Sequence, residues 1–148
     1  MGELTLGDIL MTPLSSFATE GGDVLHAMKA TDIGFEGFGE AYFSCINFGS
    51  IKAWKRHSEM WMNLVVPAGQ VRFVFCLEDS SSTAAFRIIE IGEGNYARIT
   101  VPPGIWFGFQ GLSDRRNLVL NISDTSYSPQ EVERRELNEI SFDWVLPL

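Results

Sequence analysis

The chain has 148 residues, 45 % of them apolar and 20 % charged, which suits one folded domain with a real core and excludes intrinsic disorder. Its net charge of −8 argues against non-specific nucleic-acid binding, which runs on neutralisation of phosphates by cations. No apolar run reaches the roughly 18 residues of a membrane helix. The N-terminus lacks a basic stretch leading into a long apolar one, so no secretory signal is expected and the expected location is cytoplasmic.

In chain order, the segment before Gly21 reads as an arm of about residues 1–20, or an edge strand, within one domain spanning 1–148. Short runs rich in Val, Ile, Phe, Tyr and Trp then predict strands. They fall at Asp23–Ala30, Ala41–Phe48, Ile51–Trp54, Met60–Val66, Val71–Leu77, Ala85–Ile91, Ala97–Val101, Trp106–Gly111 and Asn117–Ile122. Turn material separates them, as in Pro67-Ala68-Gly69 and Gly92-Glu93-Gly94-Asn95. Many short strands with regular punctuation predict an all-β sandwich or closed barrel. Ser128-Pro129-Gln130-Glu131 then offers a Ser N-cap, Pro at the first helical position and Glu131 at the capping-box position. A short helix through about Arg135 is predicted there. Cys45 and Cys76 lie in apolar strand-like runs and read as core residues rather than a disulfide.

Only two histidines exist, His26 and His57, with no His-x-His pair. A metal site needs several nitrogen and oxygen ligands converging on one ion, so neither a metal nor a cofactor is expected. The most informative segment is Ile51-Lys52-Ala53-Trp54-Lys55-Arg56-His57. Strand periodicity would place Lys52, Trp54 and Arg56 on one face and Ala53, Lys55 and His57 on the other. A local positive patch in an acidic protein suits a diphosphate or another anion. The plainer alternative is a solvated strand end whose charges pair with acids such as Glu59. For His57 to act as a general base, a group from another strand must orient its ring. Tyr42 alternates with Glu40 and Ser44 on a polar face of the kind that lines a small-barrel cavity. Tyr127, before Ser128-Pro129, reads as a turn residue. Pro102-Pro103-Gly104 reads as an architectural turn into an aromatic strand.

Lys55-Arg56-His57, Pro102-Pro103-Gly104, Leu112-Ser113-Asp114, Tyr127-Ser128-Pro129 and Asp143-Trp144 follow one another in this order. The ordered set, running from about Gly21 to Trp144, resembles the dTDP-4-dehydrorhamnose 3,5-epimerase family. The resemblance implies a cupin-type jelly-roll β-barrel with one short helix near the C-terminus, assembled as a homodimer around a small-molecule nucleotide sugar. In that family a histidine removes the acidic proton beside a ketone and a tyrosine on the far face returns one. His57 matches the histidine. Leu120 falls at the tyrosine position, with Asn121 beside it, and Phe107 falls at a second histidine. The enolate-stabilising lysine falls near Met62 or Asn63. The aspartate that supports the histidine lies, in the family, beyond the stretch this sequence carries.

The expected function is therefore an epimerase or isomerase acting on a nucleotide-activated 4-keto-6-deoxy sugar, dTDP- or CDP-linked, in surface-polysaccharide sugar biosynthesis. His57 is the expected base and Tyr42 the relocated acid, while Lys55, Arg56, Trp54, Asn63, Arg72 and Asn121 are the expected substrate-binding residues. The alternatives are a non-catalytic cupin that binds a sugar nucleotide or other small anion, and a different lyase or isomerase on the same barrel.

Overall fold

The computed structural model describes residues 2–81 and 83–145. Among them the strands are β1 (Leu10–Pro13), β2 (Ser16–Thr19), β3 (Gly22–Leu25), β4 (Glu40–Ile46), β5 (Ile51–His57), β6 (Met62–Ala68), β7 (Gln70–Glu78), β8 (Ala84–Gly92), β9 (Ala97–Val101), β10 (Trp106–Gly111), β11 (Asn117–Ser123) and β12 (Val132–Arg134). Two five-stranded sheets result, ordered β1-β9-β6-β11-β4 and β12-β5-β10-β7-β8, with β2 and β3 as a separate hairpin. The pairings are antiparallel. The all-β expectation holds, and the arrangement is consistent with a jelly roll. The predicted strand at Asp23–Ala30 is shorter, ending at Leu25.

Period-2 alternation explains which side chains meet between the sheets. Leu64, Val66, Ile99 and Val101 from the first sheet join Val71, Phe73, Phe75 and Phe107 from the second in one core cluster. Along β11, Asn117, Val119, Asn121 and Ser123 are buried while the residues between them are partly exposed.

A second cluster lies on the outer face of the second sheet. Trp54, Val74, Cys76 and Trp106 pack there with Ile140, against Phe142 and Trp144. The 137–145 segment thus covers a face that would otherwise be an apolar patch. Burial pushes the Cys76 thiol up to about 11. Cys45, expected in the core, is exposed instead, on the edge strand β4.

The predicted helix after Ser128 does not form. Pro129–Glu131 makes a single 3₁₀ turn and the chain then enters β12, which pairs with the edge of β5. The Ser128 hydroxyl donates to Gln130 Oε1 rather than capping backbone, and Glu131 is drawn into the protein. Tertiary partners have overridden a local capping signal.

Two glycines are required by close approach. A Cβ on Gly108 would lie 2.5 Å from Ala53 Cβ, across the β5–β10 pair. One on Gly39 would lie 2.1 Å from the Thr125 carbonyl carbon, where β4 begins. Among the described residues no helix is long and apolar enough to cross a membrane.

Candidate active site

β5 and β4 lie in different sheets and bound the same cavity. The cavity has two lobes, of about 490 Å³ and about 320 Å³, which share Tyr42, Lys55 and Arg134. The larger is floored by Leu64, Phe107, Phe109 and Val119 and includes Asn121. The smaller is lined by His57, Glu40, Met60 and Tyr127.

His57 ends β5, and its carbonyl accepts the Gly104 N–H at 2.7 Å. The Pro-Pro-Gly turn therefore holds the end of the histidine strand. The imidazole stacks on Phe107, with centroids 6.0 Å apart and planes 18° apart. Its Nδ1 lies 2.5 Å from Glu131 Oε1. The other oxygen of Glu131 accepts the backbone N–H groups of Glu59 and Met60, both at 3.2 Å. The pairing of Val132 with His57, and the Ser58 N–H donating to the Glu131 carbonyl, fix this carboxylate in place. Both side chains are buried, at 7 % and 5 % exposure. Burial works against the charge on Glu131, but the hydrogen bonds from His57 and the two backbone amides outweigh it and hold its carboxyl below the usual range. With Nδ1 engaged, Nε2 is the ring nitrogen left for the cavity.

Cations gather where the lobes meet. Lys55 and Arg134 are opposite one another in the β5–β12 register, and neither makes an ion pair among the described residues. Like charges directly opposite are unfavourable unless something neutralises them. Partial burial, then the charges of Arg134 and Lys52, hold the Lys55 ammonium below its usual range. Lys52 lines the larger lobe too, its ammonium donating to the Cys45 carbonyl at 2.8 Å. Strict alternation would have sent it outward with Trp54. The β5–β10 register shifts between Phe107 and Gly108, and this irregularity returns Lys52 to the inner face. Glu136 and Glu139 also border this lobe.

Tyr42 stands on β4, opposite Asn121 of β11. Asn121 Nδ2 donates to the Tyr42 hydroxyl at 3.1 Å. The phenol oxygen is thereby an acceptor toward Asn121, and its own proton is free to point elsewhere. The buried Asn121 Oδ1 has no partner. Leu120, expected at the tyrosine position, has the opposite parity, and β11 presents Val119 and Asn121 to the cavity instead.

Four expected binding residues lie elsewhere or are already engaged. Arg56 points to the outer face, where it forks onto Glu133 at 2.8 Å and 3.2 Å and lies over Trp106. Trp54 borders the larger lobe, but its indole is 1 % exposed, packs on Trp144 and donates to the Leu137 carbonyl. Asn63 faces away from the cavity and bonds Gly34 and Thr100. Arg72 bonds Glu90, Gln110 and the Val145 carbonyl. Parity within the strand decides each case. Sequence reasoning missed Glu131, Arg134 and Tyr127 as residues of the site, and Lys52 as an inward one. A further groove, of about 820 Å³, opens between β1 and the 26–33 segment. Its Arg98 is committed to the Ala27 and Ile33 carbonyls, and no expected site residue reaches it.

No family model matches the chain. A solved dTDP-sugar isomerase from Desulfovibrio desulfuricans is 33 % identical, with a TM-score of 0.85, covering 93 % of this chain and 90 % of that one. The chain belongs to the dTDP-sugar isomerase and epimerase family, as a divergent member. A probable low-salt glycan biosynthesis epimerase of Haloferax volcanii is 27 % identical over 100 residues, 66 % of this chain and 64 % of that protein. The match thus spans somewhat less than two thirds of the archaeal relative. At the level of fold, a dTDP-4-dehydrorhamnose 3,5-epimerase from Elizabethkingia anophelis superposes with a TM-score of 0.76 at 18 % identity, over 99 % of this chain and 86 % of that one.

Proposed function

We propose that the chain is an epimerase or isomerase acting on a nucleotide-activated 4-keto-6-deoxy sugar, dTDP- or CDP-linked, in surface-polysaccharide sugar biosynthesis. The observation that carries this reading is the buried Glu131–His57 pair bordering a two-lobed cavity with unpaired cations between the lobes. A ligand with two neutral ends joined by an anion fits that distribution. The diphosphate would lie at Lys55 and Arg134, the sugar in the His57 lobe and the nucleoside in the larger one.

In the proposed mechanism His57 Nε2 takes a proton from the carbon beside the ketone. The C–H electron pair moves into the carbonyl, and the resulting enolate oxygen is stabilised by the Lys55 ammonium. Tyr42, on the opposite sheet, returns a proton to the other face and the ketone re-forms. Glu131 keeps the imidazole in the tautomer that leaves Nε2 free and stabilises the imidazolium once formed. The test is incubation with candidate keto-sugars in D2O. Deuterium appearing beside the ketone is the expected result, whereas a keto-sugar that binds tightly and never exchanges favours the non-catalytic binder.

Arg134→Ala is expected to weaken dTDP binding by about 1.5–3 kcal/mol, the scale of a charge-assisted hydrogen bond. Arg56→Ala, which removes a side chain already paired with Glu133, is expected to change it far less. Titration calorimetry checks both, and equal losses in the two variants would put the phosphate elsewhere.

We further propose a homodimer. The exposed apolar residues Met11, Phe17, Val24 and Leu25 cluster on β1 and the β2–β3 hairpin, and such patches mark interfaces. Sedimentation at micromolar concentration is expected to show a dimer, and a monomer there would refute this assembly.

A further inference from the structure

Glu40 is the one carboxylate lining the His57 lobe among the described residues, and the proposed reaction does not use it. It opens β4 on the same face as Tyr42 and lines the lobe with His57 and Lys55. Its Oε1 is buried and has no hydrogen-bond partner, and its carboxylate makes no ion pair among the described residues. The nearest strand partner, Ser123, directs its hydroxyl to the Glu40 and Thr125 carbonyls instead. Leaving a buried acceptor unmade is costly, so such an atom marks a place where a donor arrives from outside the chain.

We propose that Glu40 is a specificity-determining residue that reads hydroxyl groups of the ligand's sugar. The inference rests on the nucleotide-sugar reading above and deepens it. An ionised carboxylate only accepts hydrogen bonds, so its ligand must donate them. Neutral vicinal hydroxyls do so, whereas a phosphate in this lobe would be repelled. Glu40 therefore also sets the direction of the ligand: anion at Lys55 and Arg134, hydroxyl-bearing ring beyond them. A sugar lacking the hydroxyl leaves the carboxylate stranded, which is how a site built around a polar contact rejects a deoxy analogue.

The experiment is calorimetric titration of the wild-type chain and of Glu40→Ala with dTDP, dTDP-glucose and the 2-deoxy and 3-deoxy forms of dTDP-glucose. In the wild type at least one deoxy form is expected to bind about tenfold or more weakly than its parent. In Glu40→Ala that penalty is expected to shrink to about twofold or less. Glu40→Gln, which keeps the volume and one acceptor oxygen, takes the place of the alanine variant should the latter not fold, and is expected to shrink the penalty at least partly. A penalty that persists undiminished in the Glu40 variant, or the lack of any penalty in the wild type while dTDP binds, overturns the role of Glu40 alone. Failure of dTDP to bind the wild type overturns the underlying reading of the cavity as well.

Discussion

With His57 replaced by alanine, deuterium exchange into a bound 4-keto sugar is expected to fall by about 10²–10⁴-fold, the usual contribution of a positioned base. Affinity for dTDP is expected to stay within about tenfold, because the base acts on the transition state and the nucleotide is held elsewhere. The geometry separates the two effects. The imidazole reaches only the smaller lobe, whereas Lys52, Asn121 and the apolar floor belong to the larger one. The substitution also leaves Glu131 with its two backbone donors, Glu59 and Met60, so the carboxylate is not stranded. Isotope exchange followed by mass spectrometry, with dTDP titration on the same preparation, checks both halves. Exchange that survives while binding collapses would move the base away from His57.

Much of this arrangement was legible in the chain because a strand has only two faces. Alternation alone separates Lys55 and His57 from Trp54 and Arg56, and the structure keeps that separation. It failed at Lys52, where the β5–β10 register shifts, because no residue type marks such an irregularity from one strand alone. The same rule could have demoted Arg72, which alternates with the core residues Val71 and Phe73 and lies on the outer face. Asn63 is likewise on the wrong parity, between Met62 and Leu64, which line the larger lobe. Leu120 and Asn121 differ by one residue, and a one-residue shift in a strand exchanges cavity for exterior.

What sequence could not supply is any contact made by distant pairing. Glu131 is 74 residues from His57 and sits in a segment whose local pattern is that of a helix start. A three-residue strand pairing with the edge of β5 brings it into place, and so short an element carries almost no periodic signal. Arg134 arrives by the same pairing. The acid that the His57 ring needs from elsewhere in the chain is Glu131, upstream of the Asp-Trp motif.

Glu131→Ala is expected to cost about 1–3 kcal/mol of stability, the range for leaving buried hydrogen-bonding groups without their partner. It leaves His57 Nδ1 without its partner and the Glu59 and Met60 amides without an acceptor at the turn after β5. Glu131→Gln keeps the volume and an acceptor oxygen, so it should fold closer to normally while turning over slowly, because an amide neither fixes the imidazole tautomer nor stabilises the imidazolium. That split is what an orienting role demands and a purely structural role does not. Acid unfolding carries an independent mark of the same residue. In the folded protein the Glu131 carboxyl lies below its ordinary 4.5, so as pH falls the unfolded chain takes up this proton first. The stability it contributes is thus present above about pH 4.5 and is lost as pH drops through the lower, folded value. Urea unfolding of wild type and Glu131→Gln at pH 7 and at intervals between about pH 5 and pH 3 should show the wild type losing more stability over that range. Parallel pH profiles for the two proteins, together with undiminished turnover in Glu131→Gln, would remove Glu131 from the site.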